Sequence, residues 1–333
     1  MARRRCLRIG AANGASLGLG LVLAALLAAA PRAQAQDYPA RTVRVIVPFP
    51  AGGTADVMPR IFADWLSRKW GQAVVIENKP GAAGNLGAEF VSHAEPDGYT
   101  LLSAPPPPLV INQHLYPKLG FDPAQFEPIV IMGRVPNALV ANPRITAKSV
   151  AEFIAQARAN PGKITSATQG NGTTSHLTSE MFQMMAKVSF QHVPYRGSAP
   201  ALQGLLAGDF DIMFDNLGVS LPLVKSGRLR LIAVASERRM AALPDVPTIA
   251  ETLPGFEAAA WFAIVAPPKT APKILDRINA GVNEALREPG IVDRLAELSA
   301  EPIGGTREST AAYMRTDEAR WRRVIEEAHV TLQ

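Results

Sequence analysis

The chain has 333 residues, of which 34 are basic and 29 acidic, giving a formal charge of +5, with 47% hydrophobic residues and one cysteine. Five of the basic residues are arginines within the first 35 positions, which hold no acid, so the rest of the chain is formally neutral. A neutral remainder lacks the basic face that nucleic-acid binding needs, and a chain without a pair of cysteines must be held by its core.

Residues 1–35 read as an export signal. Arg3, Arg4, Arg5 and Arg8 precede an uncharged apolar run over 17–30, and Ala33-Gln34-Ala35 supplies a small-residue cleavage site. The run is short for a spanning helix. Its flanks suit Sec and twin-arginine export alike. Cys6 leaves with this segment, so the expected mature protein is periplasmic, disulfide-free and about 300 residues long, enough for two domains.

Val43, Val45 and Val47 are β-branched and run into Pro48, Pro50, Gly52 and Gly53. After Asp56, the residues Val57, Ile61, Trp65 and Leu66 fall at helical spacing. The reading is strand, Pro/Gly turn, helix start. Such a junction leaves backbone N–H groups without partners and binds an anion with no charged side chain.

Further strands are predicted over 74–78, 98–102, 191–194, 210–214, 229–235 and 260–266. Helices are predicted over 86–94, 150–159, 200–207, 272–287, 291–298 and 309–328, and Leu177, Met181, Met184 and Met185 mark another helix face. This alternation argues for α/β layers with largely parallel sheets. Apolar runs bounded by proline at 137–143 and 261–268 read as crossings between two domains. The expected division is an outer lobe of residues 36–142 and 260–333 and an inserted lobe of 143–259, with a cleft at the carboxyl ends of strands.

A second junction repeats the first. The stretch 164–168 ends in Gly170-Asn171-Gly172, and Thr173, Thr174 and Ser175 precede a helix, serving either as caps or as ligand hydroxyls. A third follows Val193-Pro194, where Arg196 pairs either with a ligand carboxylate or with a surface acid.

In order along the chain, Val47-Pro48-Phe49, Gly52-Gly53, Glu77-Asn78-Lys79-Pro80-Gly81-Ala82-Ala83-Gly84-Asn85, Pro96-Asp97-Gly98-Tyr99-Thr100-Leu101, Gly170-Asn171-Gly172, Val193-Pro194-Tyr195-Arg196-Gly197 and Leu243-Pro244-Asp245-Val246-Pro247-Thr248 resemble the Bug family. These are the substrate-binding proteins of tripartite tricarboxylate transporters. The resemblance implies a type II-like periplasmic binding fold: two lobes, each a mixed sheet flanked by helices, joined by two crossover strands. It implies a monomer without cofactor or catalysis that closes on a small organic acid, held mainly by main-chain amides and ordered water. The closed form would dock on membrane permease subunits or on a membrane sensor. Carried over by position, Phe49, Ala51, Gly52, Gly53, Thr54 and Asp56 belong to one binding loop. Gly170, Thr173, Ser175 and His176 belong to a second, and Tyr195, Gly197, Ser198, Ala199 and Asp215 line the cleft.

The run Pro105-Pro106-Pro107-Pro108 stands where the family carries a Gly/Ser/Thr-rich turn. Proline has no N–H to donate and such runs tend to polyproline II, so the run is either a loop merely packed at the cleft edge or a drier wall, for which a larger or more apolar acid than citrate or succinate is expected. No pair among His93, His114, His176, His192 and His329 has a zinc-ligand spacing with other donors. Ser175-His176 lacks a nucleophile elbow, and no phosphate loop is present.

Overall fold

The β-branched run predicted at 43–47 forms strand β1, Val43–Val47, in a computed structural model that describes residues 38–332. The signal-peptide reading of residues 1–35 lies outside the described residues. β1 pairs in parallel with β2 (Val74–Asn78) and β3 (Thr100–Ala104). Parallel neighbours need crossovers, and helices α1 (Thr54–Trp70) and α2 (Asn85–Ser92) supply them.

Strand β4 (Glu127–Ala141) is the spine of the molecule. Its first part pairs antiparallel with β9 (Ala259–Ala266), which itself pairs with β3. Its last five residues, Asn137 to Ala141, lie between β7 (Ile212–Asn216) and β8 (Arg230–Val234). β7 continues in parallel to β5 (Ile164–Thr168) and β6 (Phe190–Pro194). The order β2-β1-β3-β9-β4-β7-β5-β6 therefore runs through β4 from one half to the other, and β10 (Glu301–Pro302) adds to β4 at Gly133 and Arg134. The remaining helices are α3 (Val150–Ala159), α4 (Thr174–Ala186), α5 (Ser198–Ala207), α6 (Leu217–Lys225), α7 (Pro272–Ala285), α8 (Pro289–Glu297) and α9 (Arg307–Glu327).

The predicted crossing at 137–143 is only the end of a 15-residue strand. Pro128 and Pro136 hide its first part, because proline normally marks a strand end or a bulge. The register of β4 on β9 does shift between Pro128 and Val130. α6 is absent from the sequence reading, since Gly218 and Pro222 interrupt its pattern. The proline run departs from polyproline II: Pro106 has φ −48° and ψ −38°, and Pro107–Ile111 forms a π-helical turn. Proline φ suits the first turn of a helix, and burial of Leu109, Val110 and Ile111 in the core decides the outcome.

The core lies on both faces of the sheet. Ile46, Leu102, Leu139 and Phe214 belong to one buried cluster with Phe153, Phe182 and Trp321. Their neighbours in sequence, Val45, Leu101, Val140 and Met213, belong to the opposite cluster with Phe62 and Leu275, as a period of two requires. Buried Asp317 accepts from the indole N–H of both Trp261 (2.7 Å) and Trp321 (2.9 Å), tying α9 to β9. Gly218 lets α6 touch the backbone of Leu298, where a methyl group would overlap the carbonyl oxygen. Gly218→Ala is expected to lower stability by roughly 1–3 kcal/mol through overpacking, read as a fall of several degrees in melting temperature.

Candidate ligand-binding site

The loop from β1 into α1 is shaped by Asp56. Its Oδ2 accepts from the Gly52 N–H (3.1 Å), and its Oδ1 accepts from Arg60 Nε (3.0 Å), Arg60 Nη2 (2.8 Å) and Asn78 Nδ2 (2.9 Å). Burial pushes the Asp56 carboxyl up, but these hydrogen bonds outweigh it and hold the pKa below the ordinary carboxylate range. Gly52, at φ +90°, turns its N–H inward as only glycine does readily. Asp56 and Gly52 thus build the loop and use up each other's hydrogen-bonding groups. The N–H groups of Gly53, Thr54 and Ala55 have no acceptor among the described residues. Thr54 Oγ1 is buried without a partner. A helix N-terminus with free donors and a partial positive charge results.

Two more helix starts face it. At α4, Thr173 is a cap: it donates to the Gly170 carbonyl (2.7 Å) and accepts from the His176 N–H (3.4 Å). Ser175 Oγ is buried with no partner. At α5, a methyl on Gly53 would stand 3.5 Å from Ser198 Cβ, and one on Gly197 would stand 3.1 Å from the Pro50 ring. The loops after β1 and after β6 therefore touch across the sheet.

Beneath them runs a buried polar network. Asn137 of β4 donates to the Thr174 carbonyl (3.2 Å) and Thr178 Oγ1 (2.6 Å), and accepts from Asn216 Nδ2 (2.8 Å). Asp215 accepts from Ser198 Oγ (2.7 Å) and Gln169 Nε2 (2.8 Å), while its Oδ2 has no partner. Burial pushes Asp215 up to about 6 against these bonds and the Asn216 N–H.

An inner cavity of about 20 Å³ is bounded by Gly53, Ala55, Thr173, Thr174 and Ser198, with Pro105, Pro107 and Phe262 as its apolar wall. An outer cavity of about 600 Å³ shares Phe49, Pro50 and Gln169 with it and reaches Gly81 to Gly84, Tyr116 and Tyr195. Arg196, exposed at the rim and without an ion pair among the described residues, is the only charged residue lining either cavity. A still larger cavity of about 780 Å³ lies beside Arg134, but that arginine is already paired with Glu257 and Glu301.

Of the residues singled out from sequence, Phe49, Gly53, Gly170, Thr173, Tyr195, Gly197 and Ser198 line these cavities. Thr54, Asp56, Ser175 and Asp215 stand behind the lining, and Ala51 and Gly52 are exposed. Ala199 meets the loop near Gly52. Sequence reasoning missed Gln169 and Asn216, whose only signal is adjacency to strand ends, and Phe262, which lies mid-strand in the apolar run of β9 and carries no signal that separates it from the core.

His176 lines neither cavity. The histidine spacings predict no metal centre, yet the fold gathers His176, Glu180 and His192 with all three ligand atoms within 4.8 Å of one another, a set able to hold a metal ion. Burial raises Glu180, but hydrogen bonds from His176 and His192 dominate and bring it to about 2.

Comparison with known proteins places this arrangement. The model of the tripartite tricarboxylate transporter family receptor matches residues 58–330. Protein BugT of Bordetella pertussis is 37% identical over 318 residues, covering 95% of this chain and 97% of the relative. The structure of R. palustris Rpa4515 with adipate superposes with a TM-score of 0.87 at 37% identity, covering 89% of this chain and 99% of that one. The periplasmic binding protein BugD gives a TM-score of 0.84 at 32% identity, covering 89% and 100%. The chain therefore belongs to the tripartite tricarboxylate transporter receptor family, whose Bug and TctC members are solute-binding proteins and not enzymes.

Proposed function

We propose that this protein is a periplasmic receptor that captures a small organic acid between the halves of its sheet and delivers it to the permease subunits of a tripartite tricarboxylate transporter. The observation that carries the reading is the set of free N–H groups at Gly53, Thr54 and Ala55, opening on a cavity that the N-termini of α4 and α5 also border. Main-chain donors aimed into a nearly uncharged pocket suit a carboxylate. The adipate complex of Rpa4515 supports the ligand class, and the export signal read at residues 1–35, together with the periplasmic BugD, supports the compartment.

In this reading, residues 36–142 with 260–333 and residues 143–259 are lobes that swing about β4 and β9, and ligand contacts to both favour closure. The inner cavity, at about 20 Å³, has room for one water-sized group, such as a carboxylate oxygen. The body of the acid lies in the outer cavity, whose 600 Å³ falls in the range of small-molecule sites. Pro48, Phe49, Pro50 and Leu86, which line that outer cavity, favour an apolar body.

A thermal-shift screen of refolded, ligand-stripped protein tests this. The panel is adipate, benzoate, malate and citrate. An acid at a hundred times its dissociation constant adds about 2.7 kcal/mol, visible as several degrees. Adipate or benzoate is expected to stabilise most. Stabilisation by malate and citrate alone would remove the apolar-body assignment, and a folded protein that no acid stabilises would overturn the receptor reading.

A further inference from the structure

The geometry points to a divalent transition-metal site, best suited to zinc, formed by His176 and Glu180 of α4 and His192 of β6. His176 and Glu180 stand four residues apart and so share one helix face. His192 comes from the neighbouring edge strand. Glu180 Oε1 is 3.3 Å from His176 Nε2 and 3.0 Å from His192 Nε2. Zinc bonds of the usual length in a tetrahedral site set donor atoms about 3.3 Å apart, so both nitrogen–carboxylate pairs already stand near that spacing, and the two nitrogens lie within 4.8 Å of each other. Two imidazoles and one carboxylate suit zinc or its neighbours and not magnesium or calcium, which take oxygen ligands.

The surroundings agree in part. Gln183 Nε2 donates to Glu180 Oε2 (2.9 Å), which holds the carboxylate and leaves Oε1 toward the histidines. His192 Nδ1 is buried without a hydrogen-bond partner, so no contact at that nitrogen fixes its tautomer. The same His192 Nε2 lies 3.0 Å from Gln183 Nε2, a contact that a metal would replace. His176 needs one rearrangement. Its Nδ1 accepts from the Gly172 N–H at 3.3 Å, which places the proton of the neutral ring on Nε2. On metal binding that proton moves to Nδ1, Nε2 presents its lone pair, and the long contact to Gly172 is given up. The side chains of Glu180 and His192 are 23% and 18% exposed, so an ion has a route in from solvent. The fourth position is left for water.

Protein stripped with a chelator and titrated with zinc chloride in a calorimeter is expected to saturate at a single ion per chain. Cobalt(II) in its place should give the intense visible absorption of a tetrahedral centre. Glu180→Gln and His192→Gln should each weaken zinc binding by about tenfold or more, with unchanged circular dichroism, while His93→Gln, on a distant surface, should not. Should His192→Gln fail to fold, the cobalt spectrum of the unmodified protein decides. A weak octahedral spectrum, an absence of saturable binding, or equal binding by Glu180→Gln would overturn the site. None of these outcomes depends on which acid the protein binds.

Discussion

A Gly53→Val protein is expected to bind its acid at least about a hundredfold more weakly than the unmodified protein while remaining folded. Gly53 has φ −89° and ψ 170°, extended backbone open to any residue, so the change brings no backbone strain. Its new Cβ would stand 3.5 Å from Ser198 Cβ, an ordinary contact. Gly53→Ala should therefore bind almost normally. The Cβ points toward Ser198, so the two further methyl groups of valine would crowd the space between α1 and α5, where the inner cavity measures about 20 Å³. They would exclude the carboxylate from the Gly53, Thr54 and Ala55 donors. Hydrogen bonds to a charged group are worth about 1.5–3 kcal/mol each, so losing two of them exceeds the 2.8 or so kcal/mol that a hundredfold represents. Valine is a poorer N-cap than glycine by roughly 1–2 kcal/mol, too little to unfold a domain of this size. Calorimetric titration of the three proteins with one acid, beside their melting curves, checks this. Equal affinity for the valine variant would place the carboxylate elsewhere.

The junction at Gly53 was legible because local signals agree there. A β-branched run, a Pro/Gly turn and a helical periodicity follow one another over residues 43–66, and the structure forms β1 and α1 from them. β4 was only half legible, because Pro128 and Pro136 carry the local signature of strand ends while the long pairing with β9 overrides them. The proline run misled for a similar reason: its φ values serve a helical turn as well as polyproline II, and only the burial of Leu109 to Ile111 chooses. The role of Asp56 follows from a loop closure onto Gly52 that no spacing rule encodes. His192 meets His176 and Glu180 only because β6 lies beside α4, a relation of tertiary structure that histidine spacing cannot express.

Asp215 gives the second large effect, this time on stability. Its side chain is fully buried, Oδ2 lacks a partner, and burial raises its pKa from 3.8 to about 6. Below pH 3.8 the carboxyl is protonated in both folded and unfolded chains and the stabilising contribution is fully present. Between there and about 6 the folded protein keeps a proton that the unfolded chain has released, so stability falls as pH rises. Above that window the loss levels off at about 3 kcal/mol, from 1.36 kcal/mol per pH unit. Asp215→Asn cannot ionise. It is expected to be more stable than the unmodified protein by up to about 3 kcal/mol at pH 8, with the difference vanishing toward pH 4. Urea unfolding of both proteins across this range measures it, and a difference independent of pH, or of opposite sign at pH 8, would show that Asp215 is not ionised at that cost. The carboxylate is retained where it takes hydrogen bonds from Ser198 and Gln169, two residues that line the inner cavity. An acid entering that cavity meets the charge behind them. Its affinity should therefore rise as pH falls from 8 toward 6 in the unmodified protein and stay flat in Asp215→Asn, which ties the buried carboxyl to the ligand and not to the fold alone.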